Sequence, residues 1–142
     1  MTLSMNGTIE RRMPNGDWVA LALPSAFFDE LDASKIAGWL TGNYNHHDIP
    51  SIYPDATQDV IGDVYTTYLI PLGQLARFNY TQPVEDRLDY TGKRTEPLPV
   101  GRGRKTTYEA LFGEAWMRRV AYFRQCNPNY RLRCWFYTPV QE

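Results

Sequence analysis

Residues 106–124 read TTYEALFGEAWMRRVAYFR, and residues 130–137 read YRLRCWFY. The first stretch opens with Thr106-x-x-Glu109, the pattern of a capping box, in which each side chain satisfies an orphan amide of the first turn. Tyr108, Leu111, Phe112, Ala115, Trp116, Val120 and Phe123 then fall on one apolar face, opposite Arg118 and Arg124. This predicts a helix from Thr106 to Arg124 that stops before Asn127-Pro128. In the second stretch Leu132, Cys134 and Phe136 alternate with Arg131, Arg133, Trp135 and Tyr137. That is the period of a strand with one apolar face.

Working outward, Thr8–Met13 and Trp18–Leu23 flank Pro14-Asn15-Gly16-Asp17, a hairpin turn signal. Both faces of Trp18–Leu23 are apolar, so this strand is expected inside a sheet. A helix follows Pro24, with Ser25 or Asp32 as N-cap, a stripe of Ile36, Trp39 and Leu40, and a stop at Gly42-Asn43. Residues 43–63 form a long loop without periodicity, the kind of segment that in a compact domain is functional or disordered. Val64–Ile70 reads as a strand, and Pro71 opens a short helix through Arg77. A second hairpin is expected from Arg87–Tyr90 and Arg94–Leu98, followed by a basic loop at about 99–105. Strands and helices mix without a βαβ rhythm. The expected fold is a single α+β domain spanning 1–142, a mostly antiparallel sheet with two or three helices packed on it.

Composition narrows the function classes. The 142 residues are 43% hydrophobic and 14% aromatic with a net charge of −1, unlike a disordered chain. The longest apolar run, Trp18–Leu23, is far short of the roughly 20 residues of a membrane span. Met1–Arg12 has no apolar h-region, so no signal peptide is expected. Residues 1–75 carry nine acids and three bases, whereas residues 76–142 carry seven acids and twelve bases. The near-neutral total argues against bulk nucleic-acid coating. Cys126 and Cys134 make neither a disulfide framework nor a zinc knuckle; buried free thiols in a reducing cytoplasm are expected.

Three groups carry possible chemistry. His46-His47-Asp48 is the histidine cluster, in the long loop with Asp55, Asp59 and Asp63 in the neighbouring sequence. Such groups bind metals or relay protons, but adjacent histidines point apart and no ligand spacing supports zinc. Gly101-x-Gly-x-Lys105-Thr106 leads into the capped helix; its glycines, Arg102, Arg104 and Lys105 suit a phosphate, although it is not a Walker A loop. The outward face of the last strand, Arg131, Arg133 and Trp135, suits an aromatic ring with phosphates, or else is covered by helices. No nucleophile elbow and no cysteine in an electropositive turn is visible.

Several segments in order, Gly16-Asp17-Trp18, Ile36-Ala37-Gly38-Trp39-Leu40, Tyr68-Leu69-Ile70-Pro71-Leu72-Gly73-Gln74-Leu75, Gly113-Glu114-Ala115-Trp116 and Arg131-Leu132-Arg133-Cys134-Trp135-Phe136, resemble a family of small proteins of tailed bacteriophages and prophages. Here Tyr137-Thr138 replaces that family's acidic group after the last strand. The resemblance implies an accessory protein of the bacterial host cytoplasm that binds and neutralises a host factor or sequesters a phosphorylated small ligand, without catalysis. The alternatives are a nucleotide-directed hydrolase using His46, His47 and Asp48, or a minor virion assembly protein. The expected partners are a host protein or a phosphorylated small ligand, with no membrane, cofactor or metal; homo-oligomerisation stays open.

Overall fold

The computed structural model describes residues 3–52, 57–58 and 66–138. In chain order these form β1 (Ser4–Arg12), β2 (Trp18–Leu21), α1 (Ser34–Thr41), β3 (Thr57–Gln58), β4 (Thr66–Pro71), α2 (Leu72–Arg77), β5 (Pro83–Asp86), β6 (Arg104–Thr107), α3 (Tyr108–Phe112), α4 (Glu114–Arg124) and β7 (Arg131–Tyr137). The larger sheet has the order β2-β1-β7-β4-β3 with antiparallel pairs throughout, and β5 and β6 make a separate two-stranded ribbon. The architecture is a single α+β domain. No helix among the described residues is long and apolar enough to cross a membrane.

Register decides which side of the sheet is core. Ile9 faces Leu132, which faces Ile70, and Met5 faces Phe136. Directly opposed residues share a face, so these side chains, with Cys134 and Tyr68, form one buried surface. The helices supply the other layer. Trp39 of α1 and Trp116 of α4 are fully buried, with ring centroids 6.3 Å apart, and Phe112 of α3 lies 5.0 Å from Trp39. Each such aromatic pair adds about 0.5–1.5 kcal/mol beyond area burial.

Four expectations are corrected. The single helix is two. Gly113 sits at φ 87°, ψ 170°, a conformation essentially restricted to glycine, and separates α3 from α4. The apolar stripe hides this break, because residues on both sides still point into one core. The cap moves by one residue: Thr106 belongs to β6, and the Thr107 hydroxyl accepts from the Ala110 amide at 3.3 Å. The strand over Trp18–Leu21 is an edge, not an interior strand, and Val19 is 44% exposed. Its one alanine, Ala20, completes an apolar pattern without needing burial. The hairpin of 87–90 with 94–98 is absent; Pro83–Asp86 pairs with Arg104–Thr107 instead, across a connection tied by Leu98 N–H donating to Arg87 O at 2.8 Å.

Other expectations hold more closely. Leu132, Cys134 and Phe136 are buried while their neighbours on β7 are half-buried. α2 runs from Leu72 to Arg77 after Pro71. α1 ends at Gly42 with φ 77°. Its first turn is held by Asp32, whose Oδ1 accepts from the Ser34 amide (3.1 Å) and hydroxyl (2.6 Å), although Ala33 occupies the cap position. Ser25 is exposed in a turn and plays no capping part. Asp55, Asp59, Asp63 and Val64 lie outside the described residues.

Candidate functional site

Residues singled out by sequence anchor two places. The first is the outer face of the sheet. Trp18, Glu10, Arg131, Arg133 and Trp135 share it by register, with Glu10 directly opposite Arg131. Trp18, Leu69 and Trp135 stand outside the hydrophobic core cluster. Arg131 Nε donates to Glu10 Oε1 at 2.7 Å, and Arg133 Nη1 stands 4.0 Å from Glu10 Oε2. The Arg131 guanidinium also lies over the Trp18 ring, 4.0 Å from its centroid. Glu10 is thereby 93% buried on a face that the core does not use, its charge met by two arginines. A cleft of about 400 Å³ opens at one end of this face between Trp18, Leu69, Pro71, Tyr130 and Arg131. The β7 arginines and Trp135 are half-buried among their neighbours rather than sealed under helices.

The second place gathers His47, Asp86, Tyr90 and Arg104. His47 is buried, and its Nδ1 donates to Asp86 Oδ1 at 2.7 Å. The Asp86 carboxylate, 1% exposed, also accepts from the Tyr90 hydroxyl and from the Leu88 amide at 3.1 Å. Burial pushes this carboxyl up, but hydrogen bonds from Tyr90, His47 and Leu88 outweigh it and hold it below the usual carboxylate range. Burial and the Asp86 carboxylate push the Tyr90 phenol up to about 12. The Arg104 guanidinium lies over the Tyr90 ring, 4.9 Å from its centroid.

His46, His47 and Asp48 do not converge. His47 turns to Asp86, Asp48 pairs with Arg87, and His46 is exposed and lines a neighbouring cavity. Tyr44 and Asp48, both at positive φ, turn the backbone on either side of the pair. Of the two histidines, His47 is an interior residue and His46 is exposed. Among the described residues no three His, Cys, Asp or Glu side chains group to hold a metal ion. Burial pushes the Cys134 thiol up, and Cys126 less so. Both therefore stay protonated near neutral pH and are poor nucleophiles.

The glycine loop is already engaged. Gly101 N–H and Gly103 N–H donate to Glu85 Oε1 and Oε2, each at 3.2 Å. A Cβ on Gly103 would sit 2.4 Å from Asp86 O and 2.8 Å from Glu85 Cγ, so only glycine allows this approach. The loop has the amide geometry of an anion site, and its anion is the chain's own carboxylate. The glycines are separated from helix α3 by β6, on which Arg104 and Lys105 are exposed and Thr106 is half-buried. Arg102 is exposed in the turn before it.

Comparison with protein-family models, with curated proteins and with solved structures finds no match. The site rests on its own geometry. Asp86, Glu85, Tyr90, Trp18 and Glu10 were not singled out by sequence. For Glu10 a signal exists: it alternates with Ile9, which places it on the polar face that must meet Arg131. For Asp86 none does, because β5 opens with Pro83 and carries a single apolar residue, Val84.

Proposed function

We infer that this chain is a non-catalytic binding protein, an accessory protein of the phage kind that its motifs resemble, which acts in a bacterial cytoplasm by occupying a surface of a host protein. The observation that carries this reading is the stack of Trp18, Arg131 and Glu10 on the outer sheet face, continued along β7 by Arg133 and Trp135. Tryptophan, tyrosine and arginine dominate the energy of protein–protein interfaces. Held in place by Glu10 and Trp18, the Arg131 side chain has less freedom to lose on docking. Arg12, Arg131 and Arg133 stand against one carboxylate on this face, which favours an acidic partner surface.

The phosphorylated-ligand half of the expectation has weaker support. Its amide donors at Gly101 and Gly103 are occupied by Glu85, and α3 is only five residues long. Affinity capture from bacterial lysate with three baits separates the two. On the docking reading a saturable protein partner is captured by the wild-type chain and by a variant with Arg102, Arg104 and Lys105 changed to Gln. It is lost with Arg133→Glu/Trp135→Ala. The opposite pattern, or retention of a nucleotide that only the Gln variant loses, overturns it.

A further inference from the structure

Away from the sheet face, a cavity of about 410 Å³ lies between Leu3, Ser34, Tyr44, His46, His47 and Leu88. Its volume falls in the range of about 300–1,000 Å³ usual for small-molecule sites, and its wall is mostly apolar with few polar groups, as in such sites. Ser34 is committed at its hydroxyl, which donates to Asp32 at 2.6 Å and accepts from the Leu3 amide at 3.2 Å. His47 is different. Nδ1 is bound to Asp86, whereas Nε2, on the opposite edge of the ring, is not among the polar atoms sealed from solvent without a partner, and His47 borders the cavity. Nε2 has no hydrogen-bond partner among the described residues. A carboxylate that fixes one ring nitrogen sets the tautomer and orientation of the other.

We propose that this cavity binds a small, largely apolar molecule carrying one hydroxyl group, hydrogen-bonded to Nε2 of His47. With Nδ1–H donating to Asp86, Nε2 of the neutral ring is an acceptor, so a hydroxyl donates to it and an ether cannot. An ionised ligand would lose its hydration against Leu3 and Leu88, and among the described residues no Lys, Arg, Asp or Glu lines the cavity to offset that cost. Tyr44, 47% exposed, and His46, also exposed, line the cavity on its solvent side. The site is separate from the outer sheet face, since neither Arg133 nor Trp135 lines it.

The test is a titration of the full chain with 4-ethylphenol, read by the ¹⁵N and ring-proton resonances of His47. The expected result is a saturable shift of Nε2, with binding at least tenfold weaker for 4-ethylanisole, which cannot donate. Leu88 is half-exposed, and Leu88→Trp fills the cavity, so the shift should vanish while circular dichroism and the melting midpoint hold. The proposal is overturned if 4-ethylphenol leaves His47 unshifted up to its solubility limit, if the ether binds equally well, or if binding survives in folded Leu88→Trp. Should that variant not fold, the phenol–ether comparison on the wild-type chain decides alone. Capture of a protein partner through Arg133 and Trp135 is unaffected by either result.

Discussion

His47 Nδ1 stands 2.7 Å from Asp86 Oδ1, both side chains are buried, and 39 residues separate them in the chain. The contact fastens the loop after α1 to the end of β5. Arg87 reinforces it twice, through its amide donating to His47 O at 3.0 Å and its guanidinium pairing with Asp48. A polar pair thus does the work of core packing where two irregular segments meet.

The pH dependence of that fastening has a definite sign. Asp86 titrates below its ordinary value of 3.8 in the folded chain, so the unfolded chain binds its proton more readily. Its stabilisation is complete above the ordinary value and is lost as pH falls through the lowered one. Asp86→Asn should cost about 1.5–3 kcal/mol near pH 7, the range for a hydrogen bond to a charged group. Melting curves of both proteins from pH 7 to 2.5 should show the gap between them closing as the pH drops. A gap that widens in acid contradicts the assignment.

Trp116 stands at the centre of the helical layer, fully buried and 5.8 Å from the Phe123 ring. Trp116→Ala should remove about 3–5 kcal/mol by lost burial and cavity formation. Denaturant unfolding measures this, with the midpoint falling at constant slope.

Gly113 separates α3 from α4 in a conformation that side chains avoid. Gly113→Ala should destabilise by about 1–3 kcal/mol, even though alanine is the better helix former. Stabilisation by this change would mean that the two helices are one.

How much of this was legible in sequence depended on whether a local period carried it. β7 and the burial of Tyr108 through Phe123 followed from alternation and helical spacing, because each such residue meets the same core. The break at Gly113 did not, since a φ of 87° leaves no mark on the apolar pattern. The loop at Gly101–Gly103 was readable as an amide nest; its occupant, Glu85, was not, because the pairing of Glu85 with Lys105 joins two strands with little periodicity. Within the sites, Arg131, Arg133 and Trp135 were visible from alternation alone. Their carboxylate, Glu10, and the Asp86 that holds His47 come from distant parts of the chain.

Glu85 provides a further check. Glu85→Gln keeps the shape but turns one of the two acceptors for Gly101 N–H and Gly103 N–H into an NH2 donor and leaves the other without its charge. Hydrogen exchange at those two amides should accelerate by about tenfold or more, the equivalent of about 1.4 kcal/mol, with the β7 amides unchanged. Equal exchange in both proteins would show that the carboxylate does not hold the loop.

Docking through the outer sheet face is tested most directly by titrating the isolated partner against three forms of the chain at two salt concentrations. Arg133→Glu/Trp135→Ala should weaken binding by at least a hundredfold, and the wild-type affinity should fall with added salt. The Arg102, Arg104 and Lys105 to Gln variant should bind within about twofold of wild type, as expected for charges outside the interface. Unchanged affinity in the Arg133→Glu/Trp135→Ala variant, or a loss confined to the Gln variant, would contradict the account.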